Sequence, residues 1–349
     1  MTLQKNNLVQ LKMPETVGAA SASALFELTA AMRDSTGDIE LDCSEVRFFD
    51  PLGMTVLAAA IESLDRSRKI TMPWLSRKTT SYLERMNFFE RIDVHGVDLP
   101  QNRQRNDQRH RLLEITKLSD GESSETLAAQ LANAIVVGIV GREARPTSFT
   151  NPDSEYDGHY VPLRYALSEL IENALTHARR HGRSSASVWV ACQHYKSAKG
   201  GKVQIAVVDN GCGFLSTLRT HEQLVEESHA GAILTALKPM VSCNRDIGPY
   251  ALSVNEGVGL TTTVKIAKAT GGVAQIVSGN ALVTESSSEP IKRSDRARLL
   301  PASWDGVAIS ATFEQQNLPN ICIGDLLPEV RNADGKQTIP VPVALRFDD

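Results

Sequence analysis

A polar stretch from residue 98 to residue 111, DLPQNRQRNDQRHR, limits the folds open to this chain more than any other feature. It is charged and almost free of apolar residues, so it adds little to a packed core and predicts a linker. The chain has 349 residues, whereas a domain typically takes about 100–200 residues. We therefore predict domains over residues 1–105 and 110–318, followed by an extension of unassigned role over residues 319–349.

Charge and cysteine content restrict the functional classes. The net charge is −4 with interspersed signs, which argues against a nucleic-acid or polybasic membrane surface. The cysteines are odd in number and form no CxxC pair, which argues against a disulfide framework and a zinc site. The longest apolar run, residues 127–140, is too short and too interrupted to span a bilayer, and the first residues do not resemble a signal peptide. We expect a soluble protein of the reducing cytoplasm. The five cysteines are Cys43, Cys192, Cys212, Cys243 and Cys322.

Strand and helix patterns alternate before the linker. Residues 38–46 have the spacing of a strand, residues 53–67 that of a helix, and residues 68–75 that of a second strand. An amphipathic helix is predicted over residues 76–92, starting at a serine cap. This order predicts an α/β domain.

After the linker, helices precede a run of strands. We predict helices over residues 123–140 and 161–182, the second ending at Gly182, and strands over residues 111–119, 186–195 and 202–210. Helices followed by antiparallel strands indicate an α+β domain.

The helix that contains ELIENALTHA places Glu169 and Asn173 four residues apart. Residues at this spacing share one helix face, so a carboxylate and a carboxamide point the same way. We interpret the neighbouring Glu172 as a solvated or capping charge and His177 as a structural residue. This arrangement raises the question of which function requires both side chains on one helix face.

The segment VVDNGCGF ends a predicted strand at Asp209, and Gly211 and Gly213 follow. An Asp-Asn-Gly sequence is ordinary turn chemistry, so a plain turn is one interpretation. The other is that Asp209 accepts a hydrogen bond from an exocyclic amine while the glycines let the backbone approach a flat ring.

A second glycine pair, Gly257 and Gly259, opens a helix with the body LTTTVKIAKAT. Exposed N–H groups at a helix start favour anions, and glycine permits close approach. The pair is weak evidence alone. The chain has neither a βαβ unit with GxGxxG nor a GxxxxGK[ST] sequence, which disfavours two familiar phosphate-binding folds.

Taken in order, the three segments resemble the N, G1 and G2 boxes of the GHKL ATP-binding fold of gyrase B subunits, heat-shock chaperone ATPases, mismatch-repair ATPases and histidine kinases. The resemblance covers about residues 110–315 and closes with a strand at residues 304–314. It implies an α/β sandwich with helices on one face of a mixed sheet, and the binding of ATP and Mg²⁺.

The resemblance also implies roles for individual residues. Glu169 would be the general base, Asn173 the Mg²⁺ ligand and Asp209 the adenine reader, with residues 215–256 as a mobile lid. Val307 stands where many relatives have a threonine that helps hold adenine. The implied nucleotide-binding residues are Asn173, Asp209, Gly211, Gly213, Gly257, Gly259, Leu260 and Thr261.

Two features bear on the reaction. Histidine kinases usually carry asparagine where this chain has Glu169, and no H-[ED]-x-x-x-P pattern precedes residue 110, so a histidine autokinase is disfavoured. The sequence NALTHA is similar to the N box of anti-sigma-factor serine kinases. A carboxylate at this position suits activation of water or of a Ser or Thr hydroxyl.

Residues 39–64 resemble the STAS fold of anti-sigma-factor antagonists, over a match of about residues 8–95. Leu52 occupies the position of their phosphoacceptor serine and has no hydroxyl. The resemblance implies a domain that binds a kinase-like domain, in cis or in trans, without being phosphorylated there.

The leading hypothesis is a cytoplasmic ATP-binding regulator whose GHKL domain acts as an ATPase or Ser/Thr kinase under control of the STAS-like domain. The alternative is a scaffold or switch that binds ATP without turnover, and a topoisomerase- or repair-like clamp is disfavoured by the acidic balance. The expected partners are ATP and a STAS-type or kinase-like protein, with no nucleic acid and no membrane. A homodimer is left open.

Overall fold

A computed structural model gives the architecture of the described part of the chain. Predictions for Gly257, Cys243 and most of the linker lie outside that part. The described residues are 8–99, 112–118, 124–141, 154–178, 181–183, 185–198, 200–241, 259–287, 296–327, 330–331 and 337–338.

Residues 8–99, here called the N-terminal unit, combine a small parallel sheet with four helices. The strands β1 (Val9–Lys12), β3 (Ile39–Asp42) and β5 (Ile70–Thr71) form this sheet in the order β1-β3-β5, and β2 (Thr16–Val17) pairs in parallel with β4 (Phe48–Phe49). The helices are α1 (Ala22–Asp34), α2 (Pro51–Glu62), α3 (Arg77–Arg85) and α4 (Phe88–Arg91). The predicted strand–helix–strand order over residues 38–75 is confirmed.

Local chemistry explains where α2 begins. The Asp50 carboxylate accepts a hydrogen bond from the Gly53 N–H (2.9 Å), and Pro51 occupies the first helical position, which needs no amide donor. Eleven of the twelve residues of α2 are buried. A helix that is apolar on all sides must be covered on all sides.

The second sheet has five strands, β6 (Leu112–Lys117), β7 (Val188–Tyr195), β8 (Lys202–Asp209), β9 (Val273–Ser286) and β10 (Ala297–Glu314). Their order is β6-β7-β8-β10-β9, and every neighbouring pair is antiparallel. The prediction of a mixed sheet is therefore wrong. The two strands β8 and β9 run in the same direction, but β10 lies between them and is antiparallel to both.

Five helices belong with this sheet: α5 (Ser124–Val140), α6 (Ser154–His177), α7 (Gly213–Leu218), α8 (His229–Ala236) and α9 (Gly259–Ala269). The α+β prediction is confirmed. Helix α6 starts seven residues earlier than predicted, with Pro162 inside it, and ends before Gly182. The short elements are α10 (Ile323–Leu326), 3-10 turns at Ala19–Ser21 and Gln315–Asn320, and the antiparallel pair β11 (Val330–Arg331) and β12 (Gln337–Thr338).

Both faces of the five-stranded sheet are covered by helices. On β8, Val203, Ile205 and Val207 join a core that also contains residues of α5, α6 and α9. Ala206 and Val208 join a second core with residues of α1 and α2. Helices were predicted on only one face of this sheet. The helices α5, α6 and α9 cover that face, and the N-terminal unit covers the other. A strand buried on both faces reads as a nearly continuous apolar run.

The first part of the predicted C-terminal extension packs on the helical face. Ile323 and Leu327 are buried in the same core as α6 and α9, and so is Leu318, the last residue of the predicted domain. The Lys265 ammonium group on α9 donates a hydrogen bond to the Leu326 carbonyl (2.7 Å). Within the residues that the structure describes, no helix combines the length and apolar character needed to cross a membrane.

Candidate functional site

Helix α6 brings the Glu169 carboxylate to the start of α9. A Cβ atom added to Gly259, the first residue of α9, would lie 1.7 Å from Glu169 Oε2. The carboxylate therefore fills the space that a side chain would need there. Asn173 follows one turn later on α6, and both residues are half-buried. Two segments that are about 90 residues apart in the sequence meet at this point.

The environment of Glu169 makes it a stronger base than an exposed glutamate. Burial raises the pKa of Glu169 to about 7, and the nearby Glu172 charge also raises this pKa. A carboxyl group with a pKa near neutrality suits general acid–base chemistry.

Buried hydroxyl groups also occur around this junction. Tyr165 stands one helical turn before Glu169 on α6, and Thr262 and Thr263 lie in the first turns of α9. The Thr263 hydroxyl oxygen is buried and has no hydrogen-bond partner within the described residues. The Tyr165 hydroxyl interacts with Glu169 and Thr262, and its interaction with Glu169 lowers the pKa of that carboxyl group. Buried polar groups are usually paired, so the Thr263 hydroxyl fits a site that takes a polar ligand or water.

Asp209 is held at the end of β8 by backbone donors. Its Oδ1 accepts hydrogen bonds from the Gly211 N–H (2.9 Å) and the Val307 N–H (3.2 Å), and the residue is only 3% exposed. Burial raises the pKa of Asp209 to about 7, although the two amide donors lower it. Within the described residues Oδ2 accepts no hydrogen bond, which leaves one carboxylate oxygen for a ligand donor.

Two residues that the sequence analysis did not assign to the site also shape this end of β8. The Trp304 Nε1–H donates to the Asp209 carbonyl (3.0 Å). A Cβ atom on Gly306, whose φ is +106°, would lie 2.6 Å from Asp209 Oδ1. Val307 acts through its backbone N–H, so the absent threonine hydroxyl leaves this contact with Asp209 intact.

The glycines of the turn make close contacts with other parts of the protein. A Cβ atom on Gly211 would lie 2.1 Å from the Ala178 carbonyl, directly after α6, and the Cys212 N–H donates to the same carbonyl (3.2 Å). Gly213 has a φ of +71° and packs beside the Ser278 hydroxyl. The turn is therefore joined directly to the end of the helix that carries Glu169 and Asn173.

Leu260 and Thr261 are buried near the start of α9. The Thr261 hydroxyl donates to the Leu237 carbonyl (3.0 Å), just after α8. Within the described residues this hydroxyl is thus used to hold α8 against α9. A phosphate-binding role for either residue stays a prediction, and it would use the N–H groups of the helix start.

The predicted lid spans residues 215–256, of which the structure describes residues 215–241. This part includes most of α7 and all of α8. Helix α8 packs on β9, where the His229 ring lies so close to Gly279 that an added Cβ would be 2.0 Å from Nδ1. The rest of the predicted lid lies outside the described residues, and its movement stays a prediction.

Glu172 and His177 have contacts within the protein. The Glu172 carboxylate accepts a hydrogen bond from the Ser124 hydroxyl at the start of α5. The His177 carbonyl accepts one from the Cys212 thiol (3.2 Å). These contacts are consistent with structural roles for both residues.

Comparison with protein families gives one match. Residues 158–299 match the family described as histidine kinase-, DNA gyrase B-, and HSP90-like ATPase. The matched region contains Glu169, Asn173, Asp209 and Gly259. Searches of curated proteins and of solved structures find no significant match. The match supports a GHKL-type ATPase domain over residues 158–299, and the fold alone does not reveal its reaction.

Proposed function

We propose that this chain, with an ATPase domain of the histidine kinase-, gyrase- and HSP90-like type at residues 158–299, binds ATP with Mg²⁺. We further propose that it hydrolyses ATP or transfers its terminal phosphate to a Ser or Thr hydroxyl of a protein. The observation that carries the proposal is the convergence of three motif segments. Glu169 lies against Gly259, and the turn that begins at Asp209 packs on the residue after α6.

Asp209 is the proposed adenine reader. Its Oδ1 is held by two backbone N–H groups, so the carboxylate has a fixed orientation. The exocyclic amine of adenine is a hydrogen-bond donor that suits Oδ2. Guanine presents a carbonyl at the corresponding ring position, which would face this carboxylate unfavourably.

The junction of α6 and α9 is the proposed phosphate end. The N–H groups at the start of an eleven-residue helix favour an anion. The Asn173 carboxamide offers the type of oxygen that Mg²⁺ prefers. Bound Mg²⁺ would neutralise phosphate charge, as it does in phosphoryl transfer generally.

Glu169 is the proposed general base. Its position beside Gly259 places it next to the expected phosphate site, where it would take a proton from water or from an acceptor hydroxyl. Its half-burial limits the water around the carboxylate, and Asn173 on the same helix face would position the metal-bound phosphate near it.

The N-terminal unit is the proposed regulatory domain, of the STAS-like type inferred from the sequence. Leu52 is 1% exposed, and the Asp50 carboxylate accepts a hydrogen bond from the Gln204 side chain on β8 (3.1 Å). Leu52 is thus buried at the start of a helix that contacts the five-stranded sheet, which supports the proposal. We propose regulation through this contact, with no phosphate transfer to residue 52.

Thermal unfolding with and without ATP and Mg²⁺ tests the proposal. A ligand that binds only the folded state stabilises it by about 2.7 kcal/mol at a hundredfold excess over its dissociation constant. We expect stabilisation by ATP and not by GTP, together with Mg²⁺-dependent release or transfer of phosphate. Binding without turnover would support the alternative of a nucleotide-dependent switch. No effect of any adenine nucleotide would refute both.

A further inference from the structure

The turn from Asp209 to Gly213 is also attached to the N-terminal unit. The Asn210 side-chain amide donates hydrogen bonds to the Ser63 hydroxyl (2.7 Å) and to the Ala59 carbonyl (3.4 Å) at the end of α2. The Asn210 Oδ1 accepts from the Ser187 N–H before β7 (2.7 Å). Asn210 thus joins the end of β8 and the start of β7 to the end of α2.

A second contact reaches the same turn from α1. The rings of Phe26 and Trp304 pack edge to face, with centroids 5.6 Å apart. Trp304 in turn donates its indole N–H to the Asp209 carbonyl. Both rings are buried. The backbone of Asp209 is therefore supported by a side chain that rests on the N-terminal unit.

The residues that flank helix α2 are hydrogen-bonded to β8 at one end and to the residue after β8 at the other. Asp50, before its first residue, accepts a hydrogen bond from Gln204, and Ser63, after its last, accepts one from Asn210. Twelve helical residues span about 18 Å and six strand steps about 20 Å. The two lengths agree, so α2 has the length needed to reach from Gln204 to Asn210.

We infer that the docked N-terminal unit positions the adenine-reading turn, and that Ser63 and Trp304 are positioning residues for Asp209. This inference rests on the proposed binding of adenine at Asp209. Docking then raises adenine nucleotide affinity. Because coupling between two equilibria is reciprocal, a bound nucleotide tightens the docking of α2 by the same factor.

The test replaces Ser63 by alanine in the full-length chain. Ser23→Ala is the matched control, because the Ser23 hydroxyl bonds to Glu27 within α1 (3.2 Å). By calorimetry, we expect Ser63→Ala to bind ATP and ADP about threefold to tenfold more weakly, the range for losing one hydrogen bond. Ser63→Thr keeps a hydroxyl and should restore the affinity. Trp304→Phe, which removes the N–H and keeps a ring, should weaken binding similarly.

Amide hydrogen exchange without nucleotide gives an independent readout. The Gly211 N–H bonds to Asp209 and the Cys212 N–H bonds to Ala178. Ser63→Ala should speed exchange at both amides, whereas a role only in general stability would affect the whole domain alike. Unchanged exchange and affinity in Ser63→Ala would overturn the inference. If the wild type binds no adenine nucleotide, the proposed function fails, and the exchange rates alone decide whether α2 positions the turn.

Discussion

Two carboxyl groups in unlike surroundings define the candidate site at the scale of single residues. Asp209 is fixed by two backbone amides at the end of a strand, while Glu169 lies against the first residue of a helix. Burial raises the pKa of each to about 7. The two groups nevertheless have different expected tasks. Asp209 accepts a hydrogen bond from adenine, whereas Glu169 accepts a proton from the nucleophile.

Glu169→Gln should leave ATP bound and lower turnover by about 10²–10⁴-fold, because glutamine keeps the shape and loses the proton acceptor. Phosphate release and calorimetry on the same folded sample measure both quantities. Glu172→Gln is the control. The Glu172 charge raises the pKa of Glu169. This control should therefore move the acidic limb of the pH–rate profile to lower pH and leave turnover above pH 8 unchanged. Wild-type turnover in Glu169→Gln would remove the catalytic role.

Asp209→Asn should abolish adenine nucleotide binding in a protein that still folds. The carboxamide oxygen can still accept from Gly211 and Val307. The amide nitrogen would then face the exocyclic amine, so two donors would oppose each other. Calorimetry with ATP and circular dichroism check affinity and folding together. Unchanged affinity would show that another residue reads the base.

The raised pKa of Asp209 predicts that the unfolding free energy of the nucleotide-free protein depends on pH, and Asp209→Asn is the variant for comparison. The pKa of Asp209 is about 7 in the folded chain, whereas an unfolded aspartate has a pKa of about 3.9. The raised pKa contributes stability that is full below about pH 4 and is lost as the pH rises through 7. Between pH 5 and 8 the wild type should therefore lose unfolding free energy relative to Asp209→Asn. A difference between the two that stays constant with pH would contradict the burial argument.

The site residues differ in how far the sequence predicts them. Glu169 and Gly259 belong to local patterns, so helix periodicity and a glycine before a helix are enough to select them as candidates. Trp304 and Gly306 contact Asp209 from about 95 residues further along the chain. Only the pairing of β8 with β10 brings them together, and no local pattern encodes that pairing.

At the scale of elements, the packing of α6 on α9 is the critical contact. The start of α9 tolerates only glycine where the Glu169 carboxylate lies.

Gly259→Ala should reduce turnover and ATP affinity together, because the new methyl displaces either Glu169 or the helix start. Gly324→Ala is the control, since its Cβ would meet only Cys322 Sγ at 3.8 Å, an ordinary contact. Turnover and ATP affinity should be unchanged in the control. Full activity in Gly259→Ala would mean that the carboxylate does not need its present position.

Sequence patterns predicted most elements and missed their order in the sheet. The strands β7 and β8 were expected from their apolar residues, and α9 was expected at the second glycine pair. The insertion of β10 between β8 and β9 depends on pairing between distant residues, such as Ala308 with Val208. Local propensity does not set strand order. The mixed sheet was an implication of the family resemblance, whereas the antiparallel direction of the strands agrees with the local sequence pattern.

At the scale of the whole molecule, the five-stranded sheet depends on the N-terminal unit for one of its two covers. Trp189, Val208 and Ala308 are buried in the core that includes α1 and α2. Without residues 1–99 these apolar side chains would face water.

A fragment of residues 110–349 should therefore aggregate or bind its missing half. Light scattering at increasing concentration would measure this, with the full-length chain as control. Adding a separate fragment of residues 1–99 should reduce the aggregation. A fragment that is monomeric and binds ATP with wild-type affinity would contradict both this expectation and the positioning role of α2.

The burial of α2 has a consequence for how the chain is made. Eleven of its twelve residues are covered in the folded protein, yet β8, which lies against it, ends 147 residues after Glu62. At a synthesis rate of about 5–20 residues per second, the synthesis of β8 is completed roughly 7–30 s after that of α2. During translation α2 is therefore an exposed apolar helix, and we expect a ribosome-associated chaperone to bind this segment of the nascent chain.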